Sequence, residues 1–358
     1  MKKSRLVLSI FYIIVMLGFL CVCSTFAEAL TLDHTSASHM KIDEIFGESF
    51  WDQFNLHSLS DISTISFTVS GNHAYQLMGN GVIYQMNLQN MDYSLLCQVL
   101  TLPTAGYSAE MLYSDLDEAV KAHIDDAVFQ IIGDISEERL YGYCPVSGKI
   151  GIIDETGIHW SKVMFDNKVT NRSKTAYPEA LSCAFVDGNM MYAFVDQSIC
   201  SDEPCQGALA SFDLRSGECV YTKIPGTYAF CPYEDDQLLL LAQDIQGRMC
   251  LDSYRISTGE RENVISLLPV EIPPECGDDW FSIASIISGL SYNKAKKEIF
   301  LANEDGLWQW DPIKHFSQIN LEGEVWATLT PYSQAWVARN GRYIFHNGEN
   351  YVIIDNTE

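Results

Sequence analysis

The feature that most restricts what this chain can become is a local pattern that keeps returning. Four short runs of alternating apolar and polar residues are separated by turn residues, and the set recurs at intervals of about 40 to 60 residues. The first set occupies residues 64–69, 73–78, 81–88 and 93–100, with Ser70-Gly71-Asn72, Gly79-Asn80 and Gln89-Asn90-Met91-Asp92 between the runs. Period-two alternation is the mark of a strand with two unlike faces, and glycine, asparagine and aspartate between such runs make tight reversals. Each set therefore predicts a four-stranded antiparallel meander.

Further sets follow at residues 128–165, 180–224, 228–268 and 283–321, and a more compact one at 325–330, 334–338, 342–346 and 351–355. A lone four-stranded sheet buries too little apolar surface to be stable, whereas sheets packed face to face around an axis bury both faces of each. The expected fold is all-β: a six-bladed β-propeller of four-stranded blades over residues 61–358. Seven blades would also satisfy the pattern if residues 42–60 built the extra one.

The third-to-fourth strand turns share a local grammar. Phe212-Asp213-Leu214-Arg215-Ser216-Gly217, Tyr254-Arg255-Ile256-Ser257-Thr258-Gly259 and Ile153-Asp154-Glu155-Thr156-Gly157 each end a strand in a polar turn closed by glycine. An aspartate there accepts backbone N–H bonds, and glycine takes a positive φ at low cost.

On such residues a family likeness can be stated. Ser211-Phe212-Asp213-Leu214-Arg215-Ser216-Gly217-Glu218-Cys219-Val220-Tyr221 resembles the repeat of quinoprotein-like bacterial propellers. Glu304-Asp305-Gly306-Leu307-Trp308-Gln309-Trp310-Asp311-Pro312 resembles that of the two-component-regulator sensor propellers. The resemblance implies a bacterial exported propeller. It names a fold more than a function, because propellers host binding and catalysis alike.

Residues 1–29 read as an export signal. Lys2, Lys3 and Arg5 precede an apolar run from Leu6 to Val22, and Ala27-Glu28-Ala29 has the small-x-small form of a cleavage site. Residues 30–60 read as a leader or closing segment, and the expected location is secreted or extracytoplasmic, with no stable membrane span after cleavage. Cleavage would remove Lys2, Lys3, Arg5 and Glu28, leaving 19 basic residues against 46 acidic ones. Such a field repels nucleic acid and suits cationic partners or calcium.

Nine cysteines would remain, an odd number, so at least one is unpaired within the chain. Cys200 and Cys205 are spaced to close a local loop by a disulfide. The others fall mostly inside strands, where a small buried apolar side chain is the ordinary reading.

Sorting the connections by end separates two kinds. Those from first to second and third to fourth strand are short, at 70–72, 89–92, 136–138, 155–157, 187–188, 215–217 and 332–333. The long ones, at 101–127, 166–179, 197–207 and 269–282, all belong to the opposite end. Binding residues concentrate on loops that a rigid scaffold presents, and insertions confined to one face of a repeat array mark its binding face.

The first insertion carries an apolar stripe of Met111, Leu112, Leu116, Ala119, Val120, Ile124 and Ala127, which predicts a short helix after the first blade. The binding candidates are Tyr107, Tyr177, Asp202, Glu203, Asp278, Asp279, Trp280 and Phe281. Carboxylates beside aromatic rings suit a cation, a basic peptide or a sugar that stacks on indole.

The sequence contains no nucleophile elbow, no H-E-x-x-H, no phosphate loop and no dinucleotide fingerprint. The reading is a non-catalytic propeller that binds an extracellular protein, peptide or glycan. The alternative is a calcium-dependent, lactonase-like hydrolase with carboxylates converging at the channel mouth; calcium is the one cofactor it would bring.

Overall fold

The computed structural model describes residues 64–78, 81–90, 92–101, 124–145, 147–165, 181–196, 207–268, 287–303, 306–313, 315–319, 334–339, 341, 343–346 and 351–354. These form five four-stranded antiparallel sheets and one three-stranded sheet. The first blade is β1 (Thr64–Ser70), β2 (His73–Met78), β3 (Val82–Asn87) and β4 (Tyr93–Gln98); the second is β5 (Gln130–Gly133), β6 (Leu140–Cys144), β7 (Lys149–Asp154) and β8 (Gly157–Met164). The third comprises β9 (Ser182–Asp187), β10 (Met190–Asp196), β11 (Gly207–Asp213) and β12 (Cys219–Lys223). The fourth is β13 (Thr227–Pro232), β14 (Gln237–Gln243), β15 (Met249–Arg255) and β16 (Arg261–Ile265). The fifth holds β17 (Ile287–Asn293), β18 (Glu298–Asn303), β19 (Gly306–Asp311) and β20 (His315–Ile319), and the three-stranded sheet is β21 (Gln334–Val337), β22 (Tyr343–His346) and β23 (Tyr351–Ile354).

The first strand of every sheet lies against the first strands of its neighbours, and β21 lies against both β17 and β1, so the inner strands make a closed circle. The chain is a β-propeller. Its blade count corrects the expectation: five blades carry four strands, not six, and no seventh is found among the described residues. The cause is a misplaced start. The sequence pattern predicts residues 334–338 as a second strand following one at 325–330, but β21 is innermost, with Trp336 packed on Phe67 of the first blade at 5.1 Å between ring centroids. Residues 325–330 lie outside the described residues. The expected helix after the first blade is also corrected: the described residues contain no α-helix, and that segment contributes a single 3-10 turn, Ile124–Asp126. The rest of the segment lies outside them.

Stacked blades explain the burial pattern. β14 reads Gln-Leu-Leu-Leu-Leu-Ala-Gln and is buried through its middle on both faces. Leu238 and Leu240 pack toward the third blade with Phe194, Leu209 and Phe230. Leu239 and Leu241 pack toward the fifth with Leu290, Ile299 and Leu301. A strand sandwiched between sheets needs no polar face, which is why alternation gives way to a continuous apolar run. Equivalent seams join the first and second blades through Leu77, Ile83, Ile131, Leu140 and Ile153, and the second and third through Ile132, Tyr141, Val186, Met191 and Phe212. Trp308 and Trp310 of β19 are half-buried against the seam of the fourth and fifth blades.

The polar turns follow their predicted grammar. Asp213 Oδ1 accepts the backbone N–H of Arg215 at 2.7 Å and of Ser216 at 3.2 Å, while Gly217 takes φ 74° and its N–H reaches the Asp213 carbonyl at 2.8 Å. Asp154 Oδ1 likewise accepts the Thr156 N–H at 2.8 Å.

Candidate functional site

The antiparallel order of each sheet assigns every connection to one of two ends. The turns leaving the inner strands meet at one end of the axis and are chemically joined there. The first-blade hydroxyl Ser70 Oγ donates to the carbonyls of Asp134 and Glu137 in the second blade, at 2.9 Å each. Ile135 N–H donates to the Val186 carbonyl in the third blade, beside a parallel bridge between Asp134 and Val186, and the Gly188 N–H reaches Ser136 Oγ at 3.0 Å. On the other side, Arg339 N–H donates to the Gly71 carbonyl, Arg339 Nη2 to the Ser136 carbonyl at 2.7 Å, and Asn293 Nδ2 to the Gly341 carbonyl at 3.4 Å.

The inner strands themselves are tied by hydroxyls. Ser66, Thr68 and Ser70 occupy alternate positions of β1 and face β5. Ser66 Oγ and Thr68 Oγ1 accept the N–H groups of Ile131 and Gly133, at 3.0 Å each. These side chains supply a substitute for strand pairing, since two inner strands of a propeller belong to different sheets. On the other flank of β5 the Gln130 carboxamide makes both bonds to the Leu181 backbone, donating to its carbonyl at 2.8 Å and accepting its N–H at 2.7 Å. Asp134, fully buried, spends Oδ1 on the N–H of Ser136 and Glu137 and on the Ser136 hydroxyl, at 2.9 to 3.0 Å. The one trace of this polar lining in the sequence is the alternation of hydroxyls in Thr-Ile-Ser-Phe-Thr-Val-Ser.

The same end carries an acidic and aromatic group where the third, fourth and fifth blades meet. Tyr233 and Tyr292 lie 4.4 Å apart between ring centroids, and the Tyr292 hydroxyl donates to Glu234 Oε1 at 2.7 Å. Burial, and then that acceptor, push the Tyr292 hydroxyl well above its usual range. Lys294 pairs with Asp235 and lies 4.0 Å from Glu234, which holds the Asp235 carboxyl below its usual range. Burial raises Tyr192, with Asp187 and Asp236 adding to the effect. Glu234 and Asp235 of the fourth blade take hydrogen bonds from Tyr292 and Lys294 of the fifth, which ties these two blades together, while Asp236 accepts from Ser257 of its own blade.

The opposite end is built differently. The connections between strands at the first end never exceed the six residues 134–139. The strand ends at the other end are joined by the chain segments 99–129, 165–181, 197–206, 266–286 and 320–333. The innermost placement of β21 adds the last of these, which the sequence pattern divides into a strand and a turn at 332–333. All eight binding candidates (Tyr107, Tyr177, Asp202, Glu203, Asp278, Asp279, Trp280, Phe281) and the cysteines Cys200 and Cys205 lie outside the described residues. Among the described residues, no three or more His, Cys, Asp or Glu side chains gather as a metal site, and no helix is long and apolar enough to cross a membrane.

No protein-family model matches this chain, and no curated protein matches it. Solved structures do resemble it. A catalytically inactive virginiamycin B lyase from Staphylococcus aureus with quinupristin aligns over 83% of this chain and 95% of its own, at 14% identity and a TM-score of 0.43. PorZ, a surface component of the type-IX secretion system of Porphyromonas gingivalis, aligns over 82% of this chain and 36% of its own, at 11% identity and a TM-score of 0.40. The WD40 repeats of RRP9 align over 80% and 73%, at 9% identity and a TM-score of 0.40.

Proposed function

We propose that this chain is an exported binding propeller whose long connections, gathered at one end of a rigid ring, hold a protein, peptide or glycan. The observation that carries the reading is the asymmetry of the two ends. One end is consumed in joining blade to blade, through Ser70, Asp134, Ser136, Arg339 and Asn293. The other receives five long connections, one leaving a strand of each of the first five blades. A scaffold whose inner strands are hydrogen-bonded to their neighbours holds its loops in a fixed relation, which lowers the ordering cost of binding. The candidate residues within those connections, Asp202, Glu203, Asp278, Asp279, Trp280 and Phe281, combine carboxylates with aromatic surface, a composition suited to basic peptides and to sugars. The basic start and apolar run of residues 1–29 support export.

The test uses the full chain against a glycan array and a displayed peptide library. Selected ligands are expected to lose at least tenfold in affinity when residues 269–282 or 197–207 are replaced by short Gly-Ser turns, or in Trp280→Ala. Changes at the tight end, such as Glu155→Ala and Arg215→Ala, are expected to leave binding within twofold. Ligands that survive every loop replacement and are lost on changes at the tight end would overturn the proposal.

A further inference from the structure

Cys183 and Cys231 stand on the innermost strands of adjacent blades, β9 and β13, which lie against each other. Both are thiols; Cys231 is buried and Cys183 half-buried. The backbone at Cys183 departs from a regular strand. Pairing of β9 with β10 slips at this point, with Tyr192 opposite Phe185 but Phe194 opposite Ser182, and Cys183 takes φ 53°, a left-handed conformation that a β-carbon disfavours. The thiols influence one another and the facing strand: against the rise that burial causes, the Phe230 backbone of β13 works to lower the Cys183 thiol, and Cys183 adds to the burial that raises Cys231. Phe230 directly precedes Cys231, and its ring packs on Phe185 at 6.3 Å and on Phe194 at 6.1 Å, bracing the two strands at the level of the thiols.

We propose that Cys183 and Cys231 are a dithiol site that closes into a disulfide, joining the inner strands of the third and fourth blades covalently. The oxidant is a low-molecular-weight disulfide such as oxidised glutathione. Cys183 attacks first, being the more accessible of the two. Its thiolate displaces one thiol equivalent and forms a mixed disulfide. The Cys231 thiolate then attacks the Cys183 sulfur, the Cys183–glutathione bond breaks, and the second glutathione leaves. The two protein sulfurs lose two electrons together, the glutathione disulfide gains them, and the two thiol protons end on the departing glutathiones.

The surroundings favour the closed form. Burial pushes the Cys183 thiol up to about 11 and raises Cys231 well above its usual range, with Cys183 adding to the latter. The reduced pair therefore gains nothing from a stabilised thiolate, the feature that makes some dithiols strong oxidants. The same burial slows attack at neutral pH, so closure should accelerate about tenfold per pH unit between about pH 7 and 10. Covalent closure removes freedom from the unfolded chain between the two positions.

The experiment equilibrates the reduced full chain in glutathione buffers of graded redox ratio, quenches in acid, alkylates under denaturing conditions and maps the peptides without reduction. The expected result is a peptide pair linked through Cys183 and Cys231, with the chain lighter by two hydrogens per link. The oxidised chain should melt several degrees above the reduced one, a difference lost in Cys231→Ser and in Cys183→Ala. Recovery of both cysteines as alkylated thiols at the most oxidising ratio, or of either linked to a different cysteine, would overturn the proposal. The peptide map of the unsubstituted chain decides the matter even where a variant fails to fold.

Discussion

A methyl group placed on Gly133 would sit 2.0 Å from the Val69 carbonyl oxygen and 3.0 Å from Thr68 Oγ1. Backbone here meets backbone across the seam of the first two blades, and the contact cannot relax by turning a side chain. Gly133→Ala is expected to destabilise the fold by about 3 kcal/mol or more, read by urea denaturation; a loss under about 1 kcal/mol would mean that β1 and β5 are not held this close. Within its run, Gly133 gives no sign of this in the sequence, because close approach is a property of two distant strands. A second prediction concerns the same seam. Burial pushes both Cys97 and Tyr75 up to about 12, from ordinary values of 9.0 and 10.0. The unfolded chain therefore releases these protons at lower pH than the folded one. Their contribution is intact below about pH 9 and is lost as pH rises toward 12, at up to about 1.4 kcal/mol per pH unit for each group. Denaturation midpoints should fall across that window, and Cys97→Ala should make the fall shallower; an unchanged slope in that variant would remove Cys97 from the account.

Between elements, the hydroxyl ladder of β1 does work that regular strand pairing cannot. Thr68→Val keeps the shape of the side chain but leaves the Gly133 N–H without its acceptor, in a place where Thr68 is 3% exposed. The cost of a buried donor left unpaired is about 1–3 kcal/mol, and the Gly133 amide should exchange with solvent faster in proportion. Equal protection of that amide in both chains would show that the hydroxyl is incidental. The elements were mostly legible. Tight Asp and Gly turns and period-two alternation placed the strands of the first five blades close to where they are found, because those signals are local. Position within a blade was not legible in the last sheet. Residues 334–338 alternate in the same way whether they form a first or a second strand, and only the packing of Trp336 on Phe67 and of Ile344 and Ala338 beneath β1 decides it. The site was less legible still: the carboxylate and aromatic candidates were found by composition of loops, while the buried ties of Ser70, Gln130 and Asp134 depend on which strands the closed circle brings together.

At the scale of the whole molecule, closure changes how the fold should come apart. A linear array of sheets frays from its ends, since each repeat is held only by its neighbours, whereas a circle has no end to fray. Here the circle is completed where the three-stranded sheet meets the first blade: Phe67 against Trp336, the Arg339 N–H on the Gly71 carbonyl, and the Arg339 guanidinium on the Ser136 carbonyl. Trp336→Ala removes the aromatic half of that seam at a cost of about 3 kcal/mol, the low end for a large aromatic because this one is half-buried. The consequence expected is a change in pattern as well as in total stability. Amides of β1, β2, β21 and β22 should lose protection first, while those of β13, β14 and β15, which lie across the circle, stay slow until global unfolding. Hydrogen exchange followed by mass spectrometry resolves these segments. Should every segment instead lose protection by the same factor, the seam would be one contact among many, and the molecule would unfold as a single unit whether or not its circle is closed there.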